Sequence, residues 1–203
     1  METLIFDRME LATAEEVARL LPLVSAQRRE QAMRYSHTFG RFACLKSYEM
    51  LCGLLELEQP LFRFTEKGKP LLQDYPEIHF SISHCKNGIA VAVDDRPVGI
   101  DIESFRPFTP ALLERCMNPD EAAAIRQAAD PEQAFAAFWT KKEAVLKLRG
   151  TGLIHDLHGV LQGPETTITC FSVEKHYAYS VASLHRTPPP GQCQATLQAH
   201  SAQ

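Results

Sequence analysis

The sequence predicts an α+β protein of two similar α+β halves meeting face to face, each with helices packed on a small antiparallel sheet. Three observations lead there. Segments of helical period precede segments of strand period, and this order runs twice along the chain. The strands are short and alternating, and polar turns separate them, as antiparallel neighbours require. A length of 203 residues is enough for a substantial core, in one domain or two small ones. The expected division is an N-terminal half at 1–104, a C-terminal half at 105–186 and a flexible tail at 187–203. The duplication rests on pattern, since no residue-level repeat accompanies it.

TLIF at 3–6 has the composition of a first strand. Thr13, with Glu16 three residues on, has the form of a capping box, so a helix follows and Pro22 closes it. Ser25 can start a second helix, and FGRFACLKSYEMLCGLLEL at 39–57 spaces Phe42, Leu45, Cys52 and Leu55 as a third. Gly68-Lys69-Pro70 reads as a turn. IHFSIS at 78–83 and GIAVAVDD at 88–95 read as strands joined by the turn HCKNG, with VGIDIE at 98–103 as a third strand. In the second half FTPALLERC and PDEAAAIRQAA are helical, and Pro131 reads as a break. AFAAFWTKKEAVLKLRG then forms the strongest helix, ended by Gly150. TTITCFSV and YAYSVASL alternate like a hairpin. The segment after Arg186 is polar, opens with three prolines, and offers no apolar period to pack.

A formal net charge of −4 argues against a general nucleic-acid binder. Cysteines 44, 52, 85, 116, 170 and 193 form no C-x-x-C pair, which favours small core hydrophobes in a reducing compartment over a disulfide frame or zinc site. METLIFDRME lacks the basic start of a signal peptide, and no apolar run has the length of a membrane span. A cytoplasmic location is the expectation.

VGIDIE ends by placing Asp101 and Glu103 on one side of a strand whose other side is Val98, Ile100 and Ile102. A lone D-x-E is commonly the solvated face of an edge strand. In the long helix, however, Trp139, Glu143 and Lys147 lie along one side, next to the apolar ridge of Phe135, Phe138 and Leu146. A Glu→Lys pair on a solvated face is common, but such a pair does not flank the ridge that docks on the sheet. If that helix packs against the edge carrying Asp101 and Glu103, three carboxylates converge. Their repulsion calls for a divalent cation, and oxygen-only ligands favour magnesium, which also takes phosphate oxygens. A lysine one turn away would then face a phosphate. Lys69 in its rigid turn, and Ser83-His84 at a strand end, are further places to grip an anion. Neighbouring Ser and His point to opposite faces of a strand, so they form no hydrolase triad, and neither a nucleophile elbow nor a Walker A loop is present. His155 and His158 in HDLH lack the partners a metal site would need.

GKPLL at 68–72, HFSISHC at 79–85, PVGIDIE at 97–103 and FWTKKEAVLKLRGTGL at 138–153 resemble, in order and spacing, the surfactin-synthetase-activating type of 4'-phosphopantetheinyl transferase. The resemblance extends over most of 28–180 and implies a pseudo-twofold monomer with coenzyme A and magnesium in a cleft between two α+β halves. It implies transfer of 4'-phosphopantetheine from coenzyme A to a serine of an apo acyl or peptidyl carrier protein. Residue by residue, Asp101, Glu103 and Glu143 match the magnesium ligands, with Asp101 also on the coenzyme side. Lys147 matches the lysine at the pyrophosphate, and Lys142 the basic residue beside it. Glu143, or a water it holds, and Lys147 are the implied catalytic groups. Ser83 and His84 match the contact to the 3'-phosphate, and Lys69 and Pro70 the nucleotide-side turn. Arg41, with Arg34 and Lys46 as alternatives, stands where early basic residues meet the phosphates, although the usual D-x-x-R form is missing. Lys67, Arg28 and Arg29 would make a basic rim for the carrier's acidic helix.

Two rival classes remain at this point. Another magnesium-dependent phosphoryl-transfer enzyme or nuclease would share the carboxylates, but a nuclease needs a long positive cleft that the charge does not supply. A non-catalytic carrier-protein-binding module would not need three metal positions and two lysines. Neither nucleic acid nor membrane is expected as a partner.

Overall fold

Small residues on one face of a central sheet let a second sheet settle against it, and this close approach organises the molecule. The computed structural model describes residues 1–152 and 154–184. The expected flexible tail lies outside the described residues. The chain runs through β1 (Glu2–Phe6), α1 (Ala14–Leu20), α2 (Ala26–Met33), α3 (Thr38–Leu55), β2 (Phe62–Phe64), β3 (Pro70–Leu72), β4 (His79–Cys85), β5 (Gly88–Asp94) and β6 (Val98–Ser104). Then follow α4 (Pro110–Cys116), α5 (Pro119–Gln127), α6 (Pro131–Arg149), β7 (Thr166–Ser172) and β8 (Tyr177–Ser183). Short 3-10 turns sit at Met9–Leu11, Leu21–Leu23 and Val160–Gln162. Among the described residues no helix is long and apolar enough to cross a membrane.

Two three-stranded antiparallel sheets result, in the orders β1-β5-β4 and β6-β8-β7, with β2-β3 as a separate hairpin. On one face of the first sheet Phe80, Ile89 and Val91 join Phe42, Leu45, Tyr48 and Leu51 of α3 in a core that α1 and α2 close. On its other face Ala90, Ala92 and Cys85 meet Val98, Ile100 and Ile102 of β6 and Val181 of β8. The third core joins α6, through Ala144, Val145 and Leu148, to Leu113, Ile125, Val160 and Ala182. The layers are therefore helices, sheet, sheet, helices: the α+β class that the sequence predicts.

Three details of the sequence reading change. β6 leaves the first sheet, because β5 already pairs on both edges, with β1 (Ile5 opposite Ala90) and with β4 (Ser83 opposite Ala90). It pairs instead with β8, Asp101 opposite Ser180. The passage from one sheet to the other thus falls before β6, ahead of the division at 104. Pro131 opens α6 rather than breaking it: Asp130 caps the helix by accepting from Gln133 N at 3.0 Å, and a first-turn proline has no N–H to lose. At Thr13 only half of the capping box exists, since Glu16 pairs with Arg19 at 2.9 Å and the Thr13 N–H donates to Leu11. The complete box is at Asn118 and Glu121.

Cys44, Cys52, Cys85 and Cys116 are free thiols, and all but Cys52 are buried. Burial pushes the pKa of each upward, which fits these four as small core hydrophobes; Cys170 is not among the free thiols, and Cys193 lies outside the described residues.

Candidate active site

Strand pleating decides which β6 side chains meet α6. With Val98, Ile100 and Ile102 committed to the inter-sheet core, Gly99, Asp101 and Glu103 turn to the helix. At Gly99 the two backbones touch. A Cβ there would overlap the Ala144 carbonyl oxygen and lie 2.5 Å from the Leu148 amide nitrogen. Those residues directly follow Glu143 and Lys147 in the chain, so the glycine seats the helical face that bears them.

Asp101 is 4% exposed, and its Oδ1 accepts from Ser83 Oγ and from Lys147 Nζ, both at 2.7 Å. Lys147 Nζ also donates to Ser83 Oγ at 2.7 Å, closing a ring of three contacts among β4, β6 and α6. Asp101 Oδ2 and Glu143 Oε1 are buried without a hydrogen-bond partner. Burial, and then the Asp101 charge, raise the pKa of Glu143. The same two causes push Glu103 up to about 6, against the opposing pull of Arg106 and Lys147. Glu103 lines a small crevice with Arg106, Phe135 and Trp139.

A cavity of about 250 Å³ opens beside this cluster, lined by Lys67, Lys69, Pro70, Glu143, Lys147 and Gly150 among others. Gly150 ends α6 with φ of 68°, a conformation that glycine adopts without strain. Lys69 runs alongside and donates from Nζ to Leu148 O at 3.0 Å, compensating the helix's negative end. Its burial lowers its pKa. Three lysines thus line one cavity.

Two orphaned carboxylate oxygens, one from a strand and one from a helix, with Glu103 beside them, form a donor set that suits a hard divalent cation. As they stand, among the described residues, no three His, Cys, Asp or Glu are drawn together tightly enough to hold a metal ion. Lys147 supplies the positive charge at Asp101 in this arrangement.

Other expected residues lie elsewhere. Lys142 is a correction: it is 1% exposed, paired with Glu121 at 2.7 Å and donating to Leu157 O at 2.8 Å, so it braces α6 against α5. Arg28 is also corrected as a rim residue, for it is buried, donates to Cys44 O and Ser47 Oγ at 2.9 Å, and lies over the Tyr48 and Phe62 rings. Arg41 is half-buried and donates to Tyr35 O at 2.9 Å, outside the cavity walls. Lys46 pairs with Glu49 and covers the Phe6 ring, while Arg34 and Arg29 are exposed. His84 is exposed beside Phe39, edge to ring at 6.2 Å, on the side of β4 opposite Ser83. The protein around its ring, and then the Lys147 charge, lower its pKa. Gly99 and Glu121 are the functional neighbours that sequence reasoning missed. A glycine inside a strand signals close backbone approach, and the Asn-Pro-Asp-Glu start of α5 signals a cap.

The sequence model of the 4'-phosphopantetheinyl transferase superfamily matches residues 97–196. A 4'-phosphopantetheinyl transferase of Bacillus subtilis is 30% identical over 202 residues, covering 85% of this chain and 88% of the relative. The psf-1 4'-phosphopantetheinyl transferase of Bacillus pumilus is 33% identical over 151 residues, 70% of this chain and 65% of the relative. Sfp of Bacillus subtilis (strain 168) is 30% identical over 147 residues, 68% of this chain and 66% of the relative. The matches thus span just under two thirds of the length of two of these relatives and most of the other.

Proposed function

The chain belongs to the 4'-phosphopantetheinyl transferase superfamily, and from that premise we propose that it transfers the 4'-phosphopantetheine moiety of coenzyme A to a serine of an apo acyl or peptidyl carrier protein. The observation that carries the reading is the meeting of Asp101 and Glu143, each with an orphaned buried oxygen, and Lys147 at the edge of a lysine-lined cavity.

In this reading the serine Oγ forms a bond to the β-phosphorus of coenzyme A. The bond from that phosphorus to the bridging pyrophosphate oxygen breaks, and 3',5'-ADP leaves with the electron pair. Glu143, whose raised pKa suits a proton acceptor, or a water that it holds, takes the serine proton. Lys147 offsets charge on the departing phosphate. Lys69 and Lys67 attract the nucleotide-side phosphates, while His84 and Arg41 are proposed for the coenzyme's remaining phosphate contacts. Asp101, Glu103 and Glu143 would hold magnesium, which when bound supplies neutralisation of pyrophosphate charge. The proposal includes a cytoplasmic, monomeric enzyme that acts on a carrier protein rather than on nucleic acid or membrane. Its pseudo-twofold character is supported by the two three-stranded antiparallel sheets, one with the long helix α3 and the other with the long helix α6.

Intact-mass spectrometry of several apo carrier proteins, incubated with the chain, coenzyme A and magnesium, tests the reading. At least one carrier should gain the mass of one phosphopantetheine group, and the Asp101→Ala protein should add almost none. No gain on any carrier, or normal transfer by Asp101→Ala at limiting magnesium, would overturn it.

A further inference from the structure

We propose that Ser83 is a positioning residue of the carboxylate site, holding Asp101 so that Oδ2 stays free for the cation. The proposal rests on the metal reading above and deepens it. Ser83 is 8% exposed and occupies the seam between β4 and β6. Its hydrogen bonds have one possible direction. A lysine ammonium only donates, so the Ser83 oxygen accepts from Lys147 and its single proton goes to Asp101 Oδ1. Oδ1 thereby receives two donors, and the carboxylate plane is fixed with Oδ2 buried and unpaired.

A second serine makes the arrangement a clamp. Ser81, two residues earlier on the same face of β4, accepts from Ile100 N at 3.0 Å. One serine holds the β6 backbone, and the other holds the next residue's carboxylate. No ladder joins β4 to β6, so these two hydroxyls stitch the sheets at the site. The pleat also separates Ser83 from His84, which stands exposed on the opposite face against Phe39. The two neighbours therefore differ in place, Ser83 within the seam and His84 in solvent.

The test measures Mn2+ binding to the coenzyme-free protein by electron paramagnetic resonance, for wild type, Ser83→Ala and Ser83→Thr. Losing a charge-assisted hydrogen bond to the ligand should weaken Mn2+ about tenfold in Ser83→Ala, and the threonine hydroxyl should restore it. Unchanged Mn2+ affinity in Ser83→Ala overturns the assignment and leaves the metal reading intact. Failure of wild type to bind Mn2+ overturns the metal reading itself, and this proposal with it. Should Ser83→Ala not fold, Ser83→Cys, of similar size but a weak donor, takes its place with the same expected weakening and the same overturning results.

Discussion

Glu103 carries a pKa raised from an ordinary 4.5 to about 6, because burial and the Asp101 charge both oppose its ionisation. The folded protein therefore binds this proton more tightly than the unfolded chain does. Whatever stability the neutral carboxyl preserves is present below pH 4.5 and is lost as pH rises through 6. Glu103→Gln should thus stabilise the metal-free protein at pH 8 by about 1 kcal/mol, after discounting the shift for solvent screening at a half-buried group. The gain should vanish near pH 4.5. Calorimetric melts in a chelator across that range measure it, and a pH-independent difference would show that the charge is not opposed by its neighbours. The alternation in VGIDIE makes this carboxylate pair legible from sequence, since the apolar residues occupy the other face. The partner of Lys142 was not legible: helical spacing places a side chain on a face but says nothing of Glu121 on another helix.

α6 and β6 meet through backbone at Gly99, and this contact tolerates no side chain. The obstructing atoms belong to the helix backbone, which no rotamer change can move. Gly99→Ala should push α6 outward, costing about 1–3 kcal/mol as overpacking. Glu143 and Lys147 would shift with it, and a displacement of about 1 Å at a reacting group can cost roughly a hundredfold in rate. Urea unfolding and transfer kinetics on the same protein check both effects; wild-type turnover would show that the helix does not depend on that glycine for its seat. The α6 pattern announced the helix and the face that carries Glu143 and Lys147. Its start at Pro131 was misread, because a proline that ends one helix and a proline that opens another look alike until the Asp130 cap is seen. The β2-β3 hairpin was passed over because three-residue strands show too little alternation to register.

The site draws on both sheets, so occupying it should strengthen the whole molecule. Ligands that bind only the folded state, at about a hundred times their dissociation constant, add about 2.7 kcal/mol. For a chain of this size that raises Tm by roughly 5–10 °C. Coenzyme A with magnesium should produce such a rise, and Asp101→Ala should lose the part that requires magnesium. Equal shifts in both proteins would remove Asp101 from the metal set. The two-layer pairing itself was not legible, because three consecutive strands in the chain suggest one meander. Only the occupation of both β5 edges excludes it.

That pairing also sets an order of assembly. β1, β4 and β5 need nothing beyond Asp94 to complete their sheet, whereas β6 hydrogen-bonds only to β8, which begins at Tyr177. Chains acquire structure from the N-terminus as they are synthesised, and distant partners close late. A nascent polypeptide on the ribosome thus builds its first sheet while VGIDIE still lacks its ladder. Asp101 meets Glu143 and Lys147 after α6 has emerged, and the strand that carries it is locked only when β8 arrives. The candidate site is thus completed last in the life of the growing chain, and an aborted translation product ending before Tyr177 lacks the strand that pairs with VGIDIE.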